Sequence, residues 1–243
     1  MARFFVAPEQ KTDGQIVIAG NDFRHLRAVL RMKEGDELTV TVDGTGVYAC
    51  RIASFLEDSA VLEVLSEVRE SHEPETRVTL FQGLPKGDKL EQVIEKSVEL
   101  GVSEIVPVLM KRSVVKPDPK KEEARTARRQ KIAEAAAKQS LRDVIPEVKA
   151  IMRFDEAVAY ASGLDLVLVP YEAADNMEET KAVLREIPKG ARVGLFIGPE
   201  GGFEGDEIER AVSAGFQVIS LGKRILRTET AGPAVLAVML FGQ

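Results

Sequence analysis

The chain has 243 residues, 44% hydrophobic and 30% charged, the balance of a soluble globular protein of one large domain or two small ones. Its 33 Lys and Arg against 39 Asp and Glu leave a formal net charge of -6, which as a total argues against a nucleic-acid binder. The single Cys50 excludes an intrachain disulfide and fits a reducing cytoplasm, and two histidines are too few for an ordinary structural zinc site, so no metal is expected.

The apolar core near the N-terminus spans only residues 4–7, so no secretory signal is visible. The longest charge-free apolar stretch, residues 230–243, is too short for a bilayer and is interrupted by Gly232 and Pro233. A cytoplasmic protein without a membrane partner is expected. Cys50 lies in an alternating run, and no Gly-x-Ser-x-Gly elbow occurs. Cysteine and serine hydrolase chemistry is therefore disfavoured.

In chain order, β-branched or alternating runs predict strands over 3–7, 15–18, 37–42, 47–54 and 60–68, separated by turn signals such as Asp13-Gly14 and Asp43-Gly44. One helix interrupts them, with Asn21 or Asp22 as its N-cap and Leu26, Val29 and Leu30 as its buried stripe. That composition predicts a small β-barrel. The polar run 69–76, which contains Pro74, reads as the linker.

After it, strands and helices alternate. A strand over 77–81 precedes a helix opened by Asp88, with Glu91 completing a capping box and Gly101 closing it. Leu90, Val93, Ile94, Ser97, Val98 and Gly101 share its inner face. A strand over 104–110, a long helix over 120–139, a strand over 164–169 and a helix over 177–187 follow. A strand over 192–197, a helix over 205–214, a strand over 216–221 and an apolar C-terminal helix complete the series. The alternation predicts an α/β domain with a parallel sheet covered on both faces.

Partitioned, the charge reads differently from its total. Residues 1–72 are net -4, 73–108 net -3 and 143–243 net -6, while 109–142 carry 11 basic and 4 acidic residues, net +7. A smaller basic group, Arg24, His25, Arg27, Arg31 and Lys33, occupies the N-terminal helix. Phosphate contacts need only a local field. A solvated helix face explains either run equally well.

In open parallel sheets ligands bind beyond the carboxyl ends of the strands. The predicted ends carry Gly83-Leu84-Pro85-Lys86-Gly87-Asp88, Lys111-Arg112-Ser113, Pro170-Tyr171-Glu172, Ile197-Gly198-Pro199-Glu200-Gly201-Gly202-Phe203, and the run from Leu221 through Arg227 to Ala231. Gly198, Gly201 and Gly202 permit either close approach to a ligand or a tight turn. Their spacing is neither Gly-x-Gly-x-x-Gly nor a Walker loop, and no acidic residue ends the next strand to hold a ribose. Nicotinamide and nucleotide triphosphate readings are disfavoured. Arg227 at the start of an apolar helix needs a partner, either a ligand or Glu229. Lys86 is either a solvated lysine or a site residue. Ala135-Ala136-Ala137, followed by Gln139, Ser140 and Arg142, suits a subunit contact as much as a site.

The motifs Ile197-Gly198-Pro199-Glu200-Gly201-Gly202-Phe203 and Leu221-Gly222-x-Arg224-Ile225-Leu226-Arg227-x-Glu229-Thr230-Ala231 resemble those of the 16S ribosomal RNA (uracil-N3)-methyltransferase family, ribosomal RNA small subunit methyltransferase E, of the SPOUT class. Lys86-Gly87-Asp88, Glu99-Leu100-Gly101, Arg112-Ser113 and Gln139-Ser140-x-Arg142 match further blocks in the same order. Arg3-Phe4-Phe5 and His25-Leu26-Arg27-x-Val29-Leu30-Arg31 are similar to the family's RNA-binding domain.

The resemblance implies an N-terminal PUA-like β-barrel, 1–72, and a C-terminal SPOUT domain, 73–243, with a deep trefoil knot. It implies S-adenosyl-L-methionine held by Pro170, Tyr171, Glu172, Ile197, Gly198, Pro199, Glu200, Gly202, Leu221, Gly222, Ile225, Leu226 and Thr230. It further implies a homodimer with the site completed across the interface, and 16S rRNA in the small ribosomal subunit as partner, methylated at N3 of uridine 1498 in the usual rRNA numbering. RNA contacts are expected from Arg3, Arg24, His25, Arg27, Arg31, Arg112, Arg125, Arg128, Arg129, Gln139 and Arg142. Uracil N3 must lose a proton, so a cation near the uracil oxygens would stabilise the developing anion. Arg227 is the first choice and Lys86 the second, with Glu229 or Glu200 as proton acceptor and a solvent path as the equal alternative. A non-catalytic RNA-binding or ribosome-assembly factor on the same fold is the competing reading.

Overall fold

Short strands with alternating side chains bend the first part of the chain into one mixed sheet. The computed structural model describes residues 3–175 and 177–241. Its first unit takes the chain up to Glu73 together with Leu141–Val144, and its second takes Pro74–Ser140 and the chain from Ile145 onward.

The first unit holds β1 (Arg3–Val6), β2 (Lys11–Thr12), β3 (Gln15–Ala19), β4 (Glu37–Val42), β5 (Gly46–Phe55) and β6 (Ser59–Val68). They run in the order β1-β4-β5-β6-β3-β2. Only β1 and β4 are parallel. β5 slips register between Ala49 and Cys50 and again between Ile52 and Ser54, and such bulges sharpen the twist that lets a sheet curl. The sheet curls round a core that includes Phe4, Ile16, Ile18, Leu38, Val40 and Leu62. Among the described residues no backbone pairing bridges its seam, between β1 and β2.

The helix between β3 and β4 departs from the sequence reading. α1 (Gly20–Arg24) starts after Ala19 with no side-chain cap, so neither Asn21 nor Asp22 is its N-cap. From His25 to Val29 the winding widens to a π turn, with the Leu30 N–H donating to His25 O at 3.0 Å. The wider turn shifts the register of the stripe. Leu26 stays buried, while Val29, 65% exposed, and Leu30 turn to solvent.

The second unit is built on seven strands: β7 (Arg77–Gly83), β8 (Glu104–Leu109), β9 (Glu147–Val148), β10 (Met152–Arg153), β11 (Leu166–Pro170), β12 (Arg192–Ile197) and β13 (Gln217–Ile219). The order is β10-β8-β7-β12-β11-β13, with β9 also on β8, and every pairing is parallel. Nearly every side chain of β7 and β12 is buried, so both faces of the sheet are covered, as the apolar runs predict. Among the described residues six helices are interspersed with the strands: α2 (Lys89–Glu99), α3 (Pro119–Gln139), α4 (Phe154–Ala161), α5 (Met177–Arg185), α6 (Gly205–Ser213) and α7 (Thr228–Leu240). At the centre Phe81 stacks on Phe196, centroids 4.3 Å apart.

Two local expectations need correction. Asp88 precedes α2 but makes no side-chain cap bond; its carbonyl accepts the Glu91 N–H at 3.0 Å instead, so no capping box forms. The helix α4 and the short strands β9 and β10 were not anticipated. Asp118, by contrast, caps α3 through its side chain, which accepts the Lys120 N–H at 3.1 Å.

Candidate active site

Because the sheet is parallel, the segments leaving β11, β12 and β13 emerge at one edge, where ligands of such sheets bind. They surround one cavity of about 930 Å3. Pro170, Tyr171, Glu172, Ile197, Gly198, Pro199, Glu200, Gly202, Leu221, Gly222, Ile225 and Leu226 all line it. Thr230 does not. The lining passes from Thr228 to Ala231, three residues along one face of α7, and helical rotation leaves Thr230 exposed on another.

Glycine shapes these loops where a side chain would not fit. Gly202 has φ +71° and a Cβ there would meet Glu172 Oε1 at 3.0 Å. At Gly83, the last residue of β7, a Cβ would lie 2.6 Å from Pro199 N and 2.9 Å from Met110 Sδ. Arg112, after β8, braces the glycine loop from outside. Its Nη1 donates to Gly201 O at 2.8 Å and its Nε to Glu204 Oε1 at 2.8 Å. The Glu204 bond and the charge of that carboxylate outweigh burial and hold the guanidinium pKa above its ordinary value.

The three catalytic candidates occupy different places. Arg227 lies at the lip of the cavity, its side chain 81% exposed and 4.0 Å from Glu229 Oε1. Glu229, in the first turn of α7, does not line the cavity but faces Lys89 Nζ at 3.4 Å. Lys86 is exposed in the loop before α2 and also does not line the cavity; its backbone N–H donates to Glu200 Oε1 at 3.1 Å.

Lys89 and Thr228 also line the cavity, and neither was assigned a role of its own from the sequence. Lys89, the first residue of α2, reaches Glu200 Oε1 at 3.1 Å as well as Glu229. Thr228 donates its hydroxyl to Gly198 O at 2.7 Å. Burial raises the Glu200 pKa, but its own backbone N–H, that of Lys86 and the Lys89 ammonium outweigh burial and hold the carboxyl below its usual range. The carboxylate contact with Glu200, then that with Glu229, outweighs burial and lifts Lys89. Glu200 is therefore hydrogen-bonded to a cation before any ligand arrives, whereas Glu229 Oε2 is buried with no hydrogen-bond partner among the described residues and has only its ion-pair contact with Lys89.

A family model described as an RNA methyltransferase domain matches residues 72–240. A second, an RNA methyltransferase PUA domain, matches residues 18–65. The chain belongs to the ribosomal RNA small subunit methyltransferase E family. The family member of Bacillus subtilis (strain 168) is 36% identical over 217 residues, covering 88% of this chain and 85% of that protein. The crystal structure of a family member from Neisseria gonorrhoeae bound to S-adenosyl methionine superposes with TM-score 0.82 at 35% identity, over 98% of this chain and 96% of that one. A methyltransferase from Legionella pneumophila in complex with the same cofactor gives TM-score 0.83 at 30% identity, over 98% and 96% of the two chains. Membership makes the chain an rRNA methyltransferase.

For a methyltransferase of this family, the basic residues sort by partner. In the first unit Arg24, His25, Arg27 and Arg31 are exposed. Arg24 bonds Asn21 at 2.6 Å, and the Arg27 guanidinium stacks 4.3 Å from the Phe55 ring centre. Arg3 and Arg142 are different: their side chains are 5% and 6% exposed. Arg3 pairs with Asp143, and its Nη1 also donates to Leu141 O at 2.7 Å. Asp143 accepts the His72 N–H at 2.6 Å and the Ser71 hydroxyl at 3.0 Å. Arg142 pairs with Glu73. Both arginines are corrected from RNA contacts to members of a buried network, since a charge already desolvated and paired does not reach a phosphate.

In the second unit Arg125 and Arg129 both pair with Glu122, and Arg128 pairs with Glu91 at 2.9 Å. Arg129 is mostly covered, whereas Arg125 and Arg128 are exposed. Gln139, at the exposed end of α3, borders a shallow groove with Arg128 and Lys131. Among the described residues, no group of three or more His, Cys, Asp or Glu is placed to hold a metal ion, and no helix is long and apolar enough to cross a membrane.

Proposed function

We propose that the chain uses S-adenosyl-L-methionine to methylate N3 of one uridine of 16S rRNA, uridine 1498 in the usual rRNA numbering, within the small ribosomal subunit in the cytoplasm. One observation carries this reading: three strand-end loops, two of them glycine-bearing, enclose a single cavity with the exposed cation of Arg227 at its lip.

The residues present fit the cofactor. Gly198, Gly202 and Gly222 offer backbone groups at close range, and the carboxylates of Glu172, Asp175 and Glu200 suit a ligand that carries a sulfonium and an amine. When bound, the cofactor supplies a methyl group already activated on sulfur. The protein then has to bind, orient and exclude water. Pro170, Tyr171, Ile197, Pro199, Leu221, Ile225 and Leu226 enclose it, with Thr230 assigned a supporting place on α7. The uracil imide must be exposed and deprotonated. Arg227 stabilises charge building on the uracil oxygens, with Lys86 as the second cation. Glu229 is the proton acceptor of choice, because Glu200 is already bound by three donors and held acidic.

The domain from 73 to 243 is read as a SPOUT fold with a deep trefoil knot through these loops, and residues 1–72 as a PUA-like RNA-binding domain. Arg24, His25, Arg27 and Arg31 on the first, and Arg112, Arg125, Arg128, Arg129 and Gln139 on the second, are assigned to RNA. The site is completed in a homodimer, supported by the exposed apolar side chains of Val238, Phe241 and Ile225 along and beside α7.

The test is incubation with labelled S-adenosyl-L-methionine and small subunits from cells lacking this enzyme, followed by mapping of modified nucleosides. N3-methyluridine at one position is expected. Cofactor binding without transfer would instead favour a non-catalytic RNA-binding factor.

A further inference from the structure

The peptide bond between Gly198 and Pro199 is held from both sides. Proline has no N–H, so the only hydrogen-bonding group of that peptide is the Gly198 carbonyl. Thr228 Oγ1 donates to it at 2.7 Å. On the other side Gly83 packs so closely that an added Cβ would lie 2.6 Å from Pro199 N. Gly198, Pro199 and Thr228 all line the cavity.

The direction of the Thr228 bond is set by a third residue. Gln82 is fully buried on β7, and its Nε2 donates to Gly83 O at 3.0 Å and to Thr228 Oγ1 at 2.8 Å. Reversing the amide would set its oxygen against the Gly83 carbonyl, so the nitrogen must occupy that side. A hydroxyl has one proton. Thr228 receives from Gln82 and is left to spend that proton on Gly198. The Gln82 Oε1 is buried without a hydrogen-bond partner among the described residues, a cost that an apolar residue would avoid. The amide is thus explained by its two donors and not by general packing.

We infer that Gln82 and Thr228 form a one-way hydrogen-bond relay that orients the Gly198–Pro199 peptide and thereby sets the affinity of the cavity for S-adenosyl-L-methionine. Both are positioning residues, and the inference rests on the cavity being the cofactor site.

Calorimetric titration of the purified full chain with S-adenosyl-L-methionine, without RNA, tests it. Thr228→Val keeps the shape, removes the proton, and raises Kd about tenfold. Thr228→Ser restores Kd to within about threefold, a rescue that loss of methyl packing would not give. Gln82→Met weakens binding about threefold or more by releasing the direction of the hydroxyl, and it adds nothing to Thr228→Val because the two act through one bond. Wild-type affinity in a folded Thr228→Val, or in Gln82→Met if the threonine variant does not fold, overturns the relay alone. A wild-type chain that does not bind the cofactor overturns the site reading itself.

Discussion

Lys89 Nζ lies 3.1 Å from Glu200 Oε1 and so ties the first residue of α2 to the glycine loop after β12. The Glu200 carboxyl is held below its usual range. A carboxyl with a lowered folded pKa contributes stability above its unfolded value, near pH 4.3, and loses it as pH falls through the lowered one. Lys89→Met is expected to lower the melting temperature at pH 7 and to flatten its decline on acidification below about pH 5. Melting curves parallel to wild type across pH 7 to 3 would remove the coupling.

Arg227 is almost fully solvated, so the fold does not depend on it. Arg227→Ala is expected to leave thermal unfolding and cofactor affinity near wild type while reducing single-turnover methyl transfer about 100-fold, the scale of one lost anion-stabilising donor. An unchanged single-turnover rate takes Arg227 out of the chemistry.

At Gly83 there is no room for a methyl group, because it would meet the backbone nitrogen and the rigid ring carbon of Pro199 at 2.6 and 2.7 Å. Gly83→Ala is expected to cost about 1–3 kcal/mol in chemical denaturation, and also to weaken cofactor binding, since the displaced residue is Pro199. A stability loss with unchanged binding would separate β7 from the loop.

The buried pair of Arg3 and Asp143 belongs to the first unit. Arg3→Ala leaves a carboxylate buried without its cation and is expected to cost about 3–5 kcal/mol. The denaturation midpoint should fall while the slope stays constant. A midpoint unchanged would mean that solvent already reaches Asp143.

For α3, replacing Arg125, Arg128 and Arg129 by glutamate is expected to weaken RNA binding and to reduce the slope of log affinity against log salt by about 0.7 for each phosphate no longer neutralised. These arginines must first leave Glu122 and Glu91. Lys131, exposed and without an ion-pair partner among the described residues, should contribute its share undiminished in Lys131→Glu. An unchanged slope in both assigns this face to solvation.

What could be read in advance followed from burial. β12, Arg192–Ile197, was legible as a run because a strand covered on both faces needs apolar side chains on both. The loops after it were legible as glycines at strand ends. The π turn was not, because Leu26, Val29 and Leu30 share a stripe only at ordinary helical spacing. The helix α4 was missed because its buried side is only Phe154, Ala157 and Ala161, too short a pattern to stand out. Counting charge along the chain could not distinguish Arg27, exposed on its helix, from Arg3, whose carboxylate lies 140 positions away. Lys89 was hidden for the same reason, since Glu200 is 111 positions downstream.

The network around Asp143 also bears on how the molecule can be dissected. Arg3, Ser71 and His72 are satisfied by four residues, Leu141–Val144, that the ribosome adds only after α3 has been made. A fragment ending at residue 72 would therefore carry a buried guanidinium with no counter-ion. The N-terminal unit cannot complete itself during synthesis until just over seventy further residues, 74–144, have left the exit tunnel, and an excised version would need the 141–144 peptide supplied in trans or spliced on.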